Sequence, residues 1–155
     1  MADIESMYYQ VRIPEADRKF VRFFWWEDND LRREPVEYEM WVHPFGAISS
    51  KSCVTFALHQ AALDNQKYFG PEAAETLFED FYVDDLLKSM DDAEMAIEMI
   101  ESVSCMCEAG GFNLTQFVSS NRQVIESIPV GKRAEGIQEY VIGGELPVEN
   151  ALGTK

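Results

Sequence analysis

Phe81-Tyr82-Val83-Asp84-Asp85, followed by Leu86-Leu87, decides how this chain is read. Two adjacent carboxylates interrupt an apolar, aromatic run that otherwise has the character of a strand pair. Aspartate is poor in strand interiors and suits turns, so the stretch predicts a tight hairpin with the acids at its tip. Like charges this close, flanked by hydrophobes, are costly unless something positive neutralises them. A hard divalent cation held through oxygen ligands would do so; an ordinary solvated hairpin tip is the other reading.

The 155 residues make about one domain, and 46% hydrophobic content with 10 Phe, 6 Tyr and 3 Trp excludes a fully disordered chain. Thirteen basic against 28 acidic residues leave a net charge of −15. Such a balance sets the chain against phosphate backbones, whose binding rests on Lys and Arg. Cys53, Cys105 and Cys107 form no C-x-x-C pair and have only His43 and His59 for company. They read as buried free thiols rather than a zinc site or a disulfide framework. The absence of a long apolar span or secretory core predicts an intracellular protein, cytoplasmic or nuclear, with no membrane attachment.

Working outward, Ile4, Met7, Tyr8 and Val11 have helical spacing, so a short helix follows Asp3, itself at the end of a first strand. Pro14 to Asp17 reads as a helix start. Phe20 to Trp26 reads as a buried strand, and Val36 to Val42 alternates as a strand with one face in the core. The two are expected to pair antiparallel. His43-Pro44-Phe45-Gly46 breaks the second of them. A helix capped by Ser49 or Ser50 is expected over 51–68, with Val54, Leu58, Ala61 and Ala62 on one side. Gly70-Pro71 separates it from a second helical piece over 71–78.

Beyond the hairpin, Asp91 with Glu94 has capping-box spacing for a long helix, Ser89 being the other candidate cap. Its narrow apolar face is read as Ala93, Ala96, Ile97, Ile100, Ser104 and Cys107, with acids elsewhere and Gly110-Gly111 as the stop. Phe112 to Val118 alternates as a further strand. From residue 131 the pattern weakens into a loosely packed tail. Interleaved helices and hairpin-like strand pairs predict an α+β fold, an antiparallel sheet with helices packed on one face. If the first strand neighbours the hairpin, Asp3, Asp84 and Asp85 converge. Two metals about 3.5–4 Å apart in such a cluster are the usual device for phosphoryl transfer.

Four ordered stretches resemble the palm of a reverse transcriptase, most closely that of BEL/Pao-type LTR retrotransposons. They are Ala2-Asp3-Ile4-Glu5 through Gln10-Val11-Arg12, with Arg22 to Trp26; Val42 to Ala47 with Ser49-Ser50; Phe81 to Asp85; and Gly110 to Leu114 with Ser119-Ser120-Asn121. The resemblance implies a palm over 1–130, and RNA-directed DNA synthesis as the ancestral reaction. It implies Asp3 and Asp84 as ligands of two Mg²⁺ ions, Asp85 as a supporting acid and the Ile4 carbonyl as a further ligand. Tyr8 stands where the family has an aromatic gate against a ribose 2′-OH; a core tyrosine is the other reading. Phe45 and Gly46 would lie near the incoming nucleotide, or form a plain turn. Tyr82 would contact the primer end, or pack. Lys51 replaces the family's common proline, and Gln116 a lysine able to act as general acid.

The resemblance also implies partners for the full-length ancestor: an RNA or DNA template–primer and deoxynucleotides. The fingers, thumb and later segments fall outside this sequence, and 146–153 resembles the lead-in to a primer-grip hairpin. Little or no polymerase activity is therefore expected of this truncated chain alone. A non-catalytic acidic remnant or co-opted protein-interaction module is the alternative, and the lack of a D-x-D-x-D-G loop disfavours an EF-hand calcium site.

Overall fold

The computed structural model describes residues 1–136; most of the expected tail, including the 146–153 segment, lies outside them. The chain divides into two compact units, one formed by Met1–Glu5 with the chain from Thr55 onward, the other by Ser6–Val54.

The first unit is built on a four-stranded antiparallel sheet in the order β4-β5-β1-β6. Its strands are β1 (Ala2–Ile4), β4 (Phe81–Tyr82), β5 (Asp85–Leu86) and β6 (Leu114–Thr115). Ala2 faces Leu86 and Ile4 faces Leu114, and all four are buried. Because side chains alternate across a strand, Asp3, Asp85 and Thr115 share the opposite face. One apolar and one carboxylate-bearing face thus follow from a single register.

Helices supply the rest of this core. The helix α2 (Ser50–Phe69) buries Val54, Leu58, Ala61 and Ala62, the stripe that the spacing predicts. Gly70, at φ +94°, ends it and lets Pro71 open α3 (Pro71–Glu79). The helix α4 (Ala93–Ala109) packs against α3 and β6. Its cap is Asp92, whose carboxylate accepts from the Glu94 and Met95 N–H groups at 2.8 and 3.0 Å, one residue later than the Asp91 box expected. Cys107 is buried as expected, but the stripe turns from the rest of the expected face towards Val103 and Met106, while Ala96, Ile97 and Ile100 are only half-buried. Glu94, Glu98, Glu101 and Glu108 remain exposed, as expected.

Gly111, at φ +84°, closes α4, and the Phe112 N–H returns to the Cys107 carbonyl at 2.9 Å. The strand expected over 112–118 shrinks to two residues because Gln116 turns to φ +52°. A short helix, α5 (Arg122–Ser127), was not anticipated; Asn121 caps it through the Gln123 and Val124 N–H groups. Burial raises the Cys107 thiol to about 12, whereas Cys105 is exposed and Cys53 intermediate, so only one of the three thiols is buried as expected.

The second unit holds α1 (Met7–Gln10), a 3₁₀ turn over Glu15–Phe20 and an antiparallel ribbon of β2 (Arg22–Trp25) and β3 (Val36–Glu39). The pairing expected between these segments is present, but its burial is not. All eight strand residues are exposed, so neither face of the ribbon is covered by another layer among the described residues. Phe23 stacks on Tyr38 at 5.7 Å between ring centroids, and Arg22 bridges Glu37 and Glu39 at 3.0 and 3.1 Å. The helix expected from Ile4 to Val11 starts only at Met7, since Ile4 is held in the sheet.

Gly110 has an ordinary helical backbone, yet a Cβ there would sit 2.4 Å from the Cβ of Ala61. Gly110→Ala is therefore expected to destabilise the protein by about 1–3 kcal/mol through overpacking. Urea denaturation of both chains measures it, and an unchanged midpoint would contradict this packing.

Candidate functional site

A hairpin forms over residues 81–86 as expected, but only Asp84 of the two acids sits at its tip, and Asp85 lies in β5. Phe81 pairs with Leu86 and Tyr82 with Asp85, leaving Val83 and Asp84 as a two-residue turn. Val83 sits at φ +61°, a conformation that opposes a β-branched side chain and normally falls to Gly or Asn. The turn is thus strained, and the surrounding pairing must hold it. Below it, the Leu87 N–H donates to the Asp80 carbonyl at 2.9 Å, and Lys88 forms an ion pair with the Asp80 carboxylate.

The strand β1 runs along this hairpin and places Asp3 directly opposite Asp85. Antiparallel partners of this kind have Cα atoms about 4.5–5.5 Å apart. The Ile4 N–H donates to the Asp84 carbonyl at 2.9 Å, so the ladder continues into the turn. Asp3, Asp84 and Asp85 are therefore brought together although more than 80 residues of chain separate the first from the others.

The electrostatics record this proximity. The Asp3 carboxyl is raised to about 6, first by burial, then by the charges of Asp84, Asp85 and Glu5. Glu5 is a contributor that the sequence reading overlooked; its position two residues after Asp3 along a strand was the available signal. Its carboxylate accepts from the Asn113 side-chain amide at 2.7 Å. Thr115, across from Asp3 on β6, is the other overlooked neighbour.

The remaining residues fall into two places. Tyr82 lies on β4 opposite Asp85 and is more than half exposed. Tyr8 and Phe45 meet in the second unit, ring edge to ring face at 5.4 Å. Phe45 is 82% exposed, and Gly46 beside it takes φ +90° with open space where a Cβ would stand. Both readings of this pair keep a physical basis, since Tyr8 is half-buried and Phe45 projects outward. Lys51 is exposed on the first turn of α2, and Gln116 lies just past β6.

Carboxylate oxygens, with a backbone carbonyl beside them, are the donors that Mg²⁺ and similar hard cations take. Among the described residues, no three His, Cys, Asp or Glu side chains are arranged as a closed ligand set for one ion. The fit is one of donor chemistry and backbone placement, with Asp3 and Asp85 on neighbouring strands and Asp84 at the turn. The Ile4 side chain is buried in the core, which leaves only its backbone carbonyl as a donor. No protein-family model matches the chain, and a search of curated proteins returns no match.

Two tests follow from the raised Asp3. The folded protein holds that proton more tightly than the unfolded chain, whose value is near 3.8. Charged Asp3 thus opposes folding above about pH 6, and the penalty fades as pH falls towards 4. Asp3→Asn should stabilise the fold at pH 7–8 by about 1 kcal/mol, solvent screening trimming the larger figure that the shift alone suggests. Little change is expected at pH 4, and denaturant midpoints across pH read the difference. In carboxyl NMR titrations, Asp84→Asn and Asp85→Asn should each lower the Asp3 midpoint. An Asp3 that titrates near 4 in the unmodified chain would contradict the geometry. Separately, Val83→Asn should raise stability by about 1 kcal/mol by relieving the turn, as a thermal melt would show.

Proposed function

We propose that this chain is a portion of a reverse-transcriptase palm and that its carboxylate sheet face is the remnant or working part of a two-metal nucleotidyl-transfer centre. The observation that carries the reading is the register of β1 against β5, which sets Asp3 across from Asp85 beside the Asp84 turn. The order β4-β5-β1-β6 supports it by making β1 an interior strand, so that Asp3 is flanked on both sides. The ordered motifs from Ala2 to Asn121 support it independently of any coordinate.

In this reading Asp3 and Asp84 hold two Mg²⁺ ions with help from Asp85 and the Ile4 carbonyl. When bound, such ions activate the attacking primer 3′-oxygen and stabilise the leaving pyrophosphate. The chain's own contribution is positioning. The antiparallel ladder fixes the carboxylates on a rigid sheet, and the strained Val83 turn presents Asp84 beside Asp3. Burial, then the charges of Asp84, Asp85 and Glu5, raise Asp3, and the repulsive part is what a bound cation would relieve.

Tyr82, next to the turn, is the group assigned to the primer end, and Tyr8 with Phe45 and Gly46 to the incoming deoxynucleotide. A ring at Tyr8 excludes a ribose 2′-OH by packing where that hydroxyl would stand. Gln116 cannot protonate pyrophosphate, so the reaction runs without a general acid at that position.

With net charge −15 the chain offers a weak grip on a template–primer, and the fingers and thumb of the family supply that grip in the proposed parent protein. Primer extension on an annealed template with deoxynucleotides and Mg²⁺ tests the assignment. This chain alone is expected to be inactive or nearly so, and a version extended at both ends to be active. Asp84→Asn in the extended protein should lower the rate by about 100-fold or more. Extension that survives Asp84→Asn would overturn the assignment of these carboxylates.

A further inference from the structure

The β2–β3 ribbon raises a question that the carboxylate site does not answer. A two-stranded ribbon is marginal by itself in water, and this one has all eight strand residues exposed. Phe24 is 65% and Trp25 52% exposed, large apolar groups on a strand with an open edge. The Met40 N–H donates to the Val21 carbonyl, which fixes the alternation of the ladder: the Arg22 and Phe24 backbone groups point away from β3. No strand among the described residues lies on that side.

The two edges of the ribbon differ in chemistry. On β3, a two-fold antiparallel pairing of the strand with its own copy, centred on Glu37, Tyr38 or Glu39, opposes acid to acid. Centred on Tyr38, it sets Glu37 against Glu39; centred on either glutamate, it sets that glutamate against itself. The β3 edge is thus protected from self-association. On β2 the same operation opposes Phe23 to Phe23 and Arg22 to Phe24, or Phe24 to Phe24 and Phe23 to Trp25. In these two registers the contacts are aromatic or cation–aromatic and no like charges meet, whereas centring on Arg22 would oppose it to itself and is disfavoured.

Charge argues for the same occupant. Residues 6–54 carry seven Lys or Arg and eight Asp or Glu, whereas the rest of the chain carries six and 20. Two copies of so acidic a protein repel each other in general, but the ribbon lies in the nearly neutral segment.

We propose that the β2 edge is a self-association surface, on which a second copy of this chain adds its own β2 antiparallel about a two-fold axis. The two ribbons then form one four-stranded sheet, with main-chain bonds from Arg22 and Phe24 supplying affinity and the aromatic pairs fixing register. This does not depend on the polymerase reading, and either can fail alone.

Sedimentation of the purified full chain over a concentration series tests it. A monomer–dimer equilibrium is expected, weakened about tenfold or more by Phe24→Pro, which removes an outward-facing N–H from the β2 edge in either register. Ile48→Glu, at a fully exposed apolar residue outside the strands, should leave it unchanged. A backbone-level check avoids reliance on the fold of the Phe24 variant. With Cys53→Ser and Cys105→Ser in place, Phe23→Cys or Phe24→Cys should crosslink to its own copy on oxidation, while Tyr38→Cys should not. A monomer at all concentrations would overturn the proposal. So would a dimer indifferent to Phe24→Pro, or one that crosslinks only at position 38.

Discussion

Two carboxylates set opposite each other on the face of a small sheet, with a third at the adjoining turn, are the constraint on which the first unit depends. The constraint arises from register alone. Ala2, Ile4, Leu86 and Leu114 must point into the helical core, and with a period of two that forces Asp3 and Asp85 onto the other face. Slipping β1 by one residue would bury Asp3 and expose Ile4. The apolar core thus holds the acids together against their own repulsion, and the Asp3 carboxyl is raised first by burial and then by its acidic neighbours.

The hairpin was legible because most of its residues speak for the same local structure, Val83 in the turn and Asp85 in the strand being the exceptions. Phe81 and Tyr82 favour a strand, Asp84 favours a turn, and Leu86 returns the chain to the core. The helix α2 was legible for a similar reason, its Val54, Leu58, Ala61 and Ala62 being small or aliphatic at helical spacing. The meeting of Asp3 with this hairpin could be posed from sequence only as a condition, since pairing between distant strands leaves no local trace. The antiparallel register of β1 with β5 supplies that missing link.

Elsewhere local pattern misled for identifiable reasons. Phe20 to Trp26 has the composition of a buried strand, but composition does not say whether another layer covers it, and β2 is exposed. The alternation of Phe112 to Val118 is real, yet Gln116 takes a left-handed backbone that its side chain does not announce. Asp91 and Asp92 are adjacent acids, and only the geometry of the first turn selects Asp92 as the cap. On α4 the stripe was turned because Val103 and Met106 were passed over in favour of Ile97 and Ser104. The helix α5 left a signal that went unread, Asn121 followed by Val124, Ile125 and Ile128 at helical spacing.

The central claim is that Asp3, Asp84 and Asp85 form one cation site, although many other acids line the chain. Adding substoichiometric Mn²⁺ to the isotopically labelled protein discriminates among them, because its paramagnetism broadens amide signals near the bound ion. The account predicts selective loss of signals from Ala2 to Ile4, Tyr82 to Leu86 and Thr115, reversed by excess Mg²⁺. Broadening centred instead on the exposed acidic side of α4, at Glu94, Glu98 and Glu101, would contradict it.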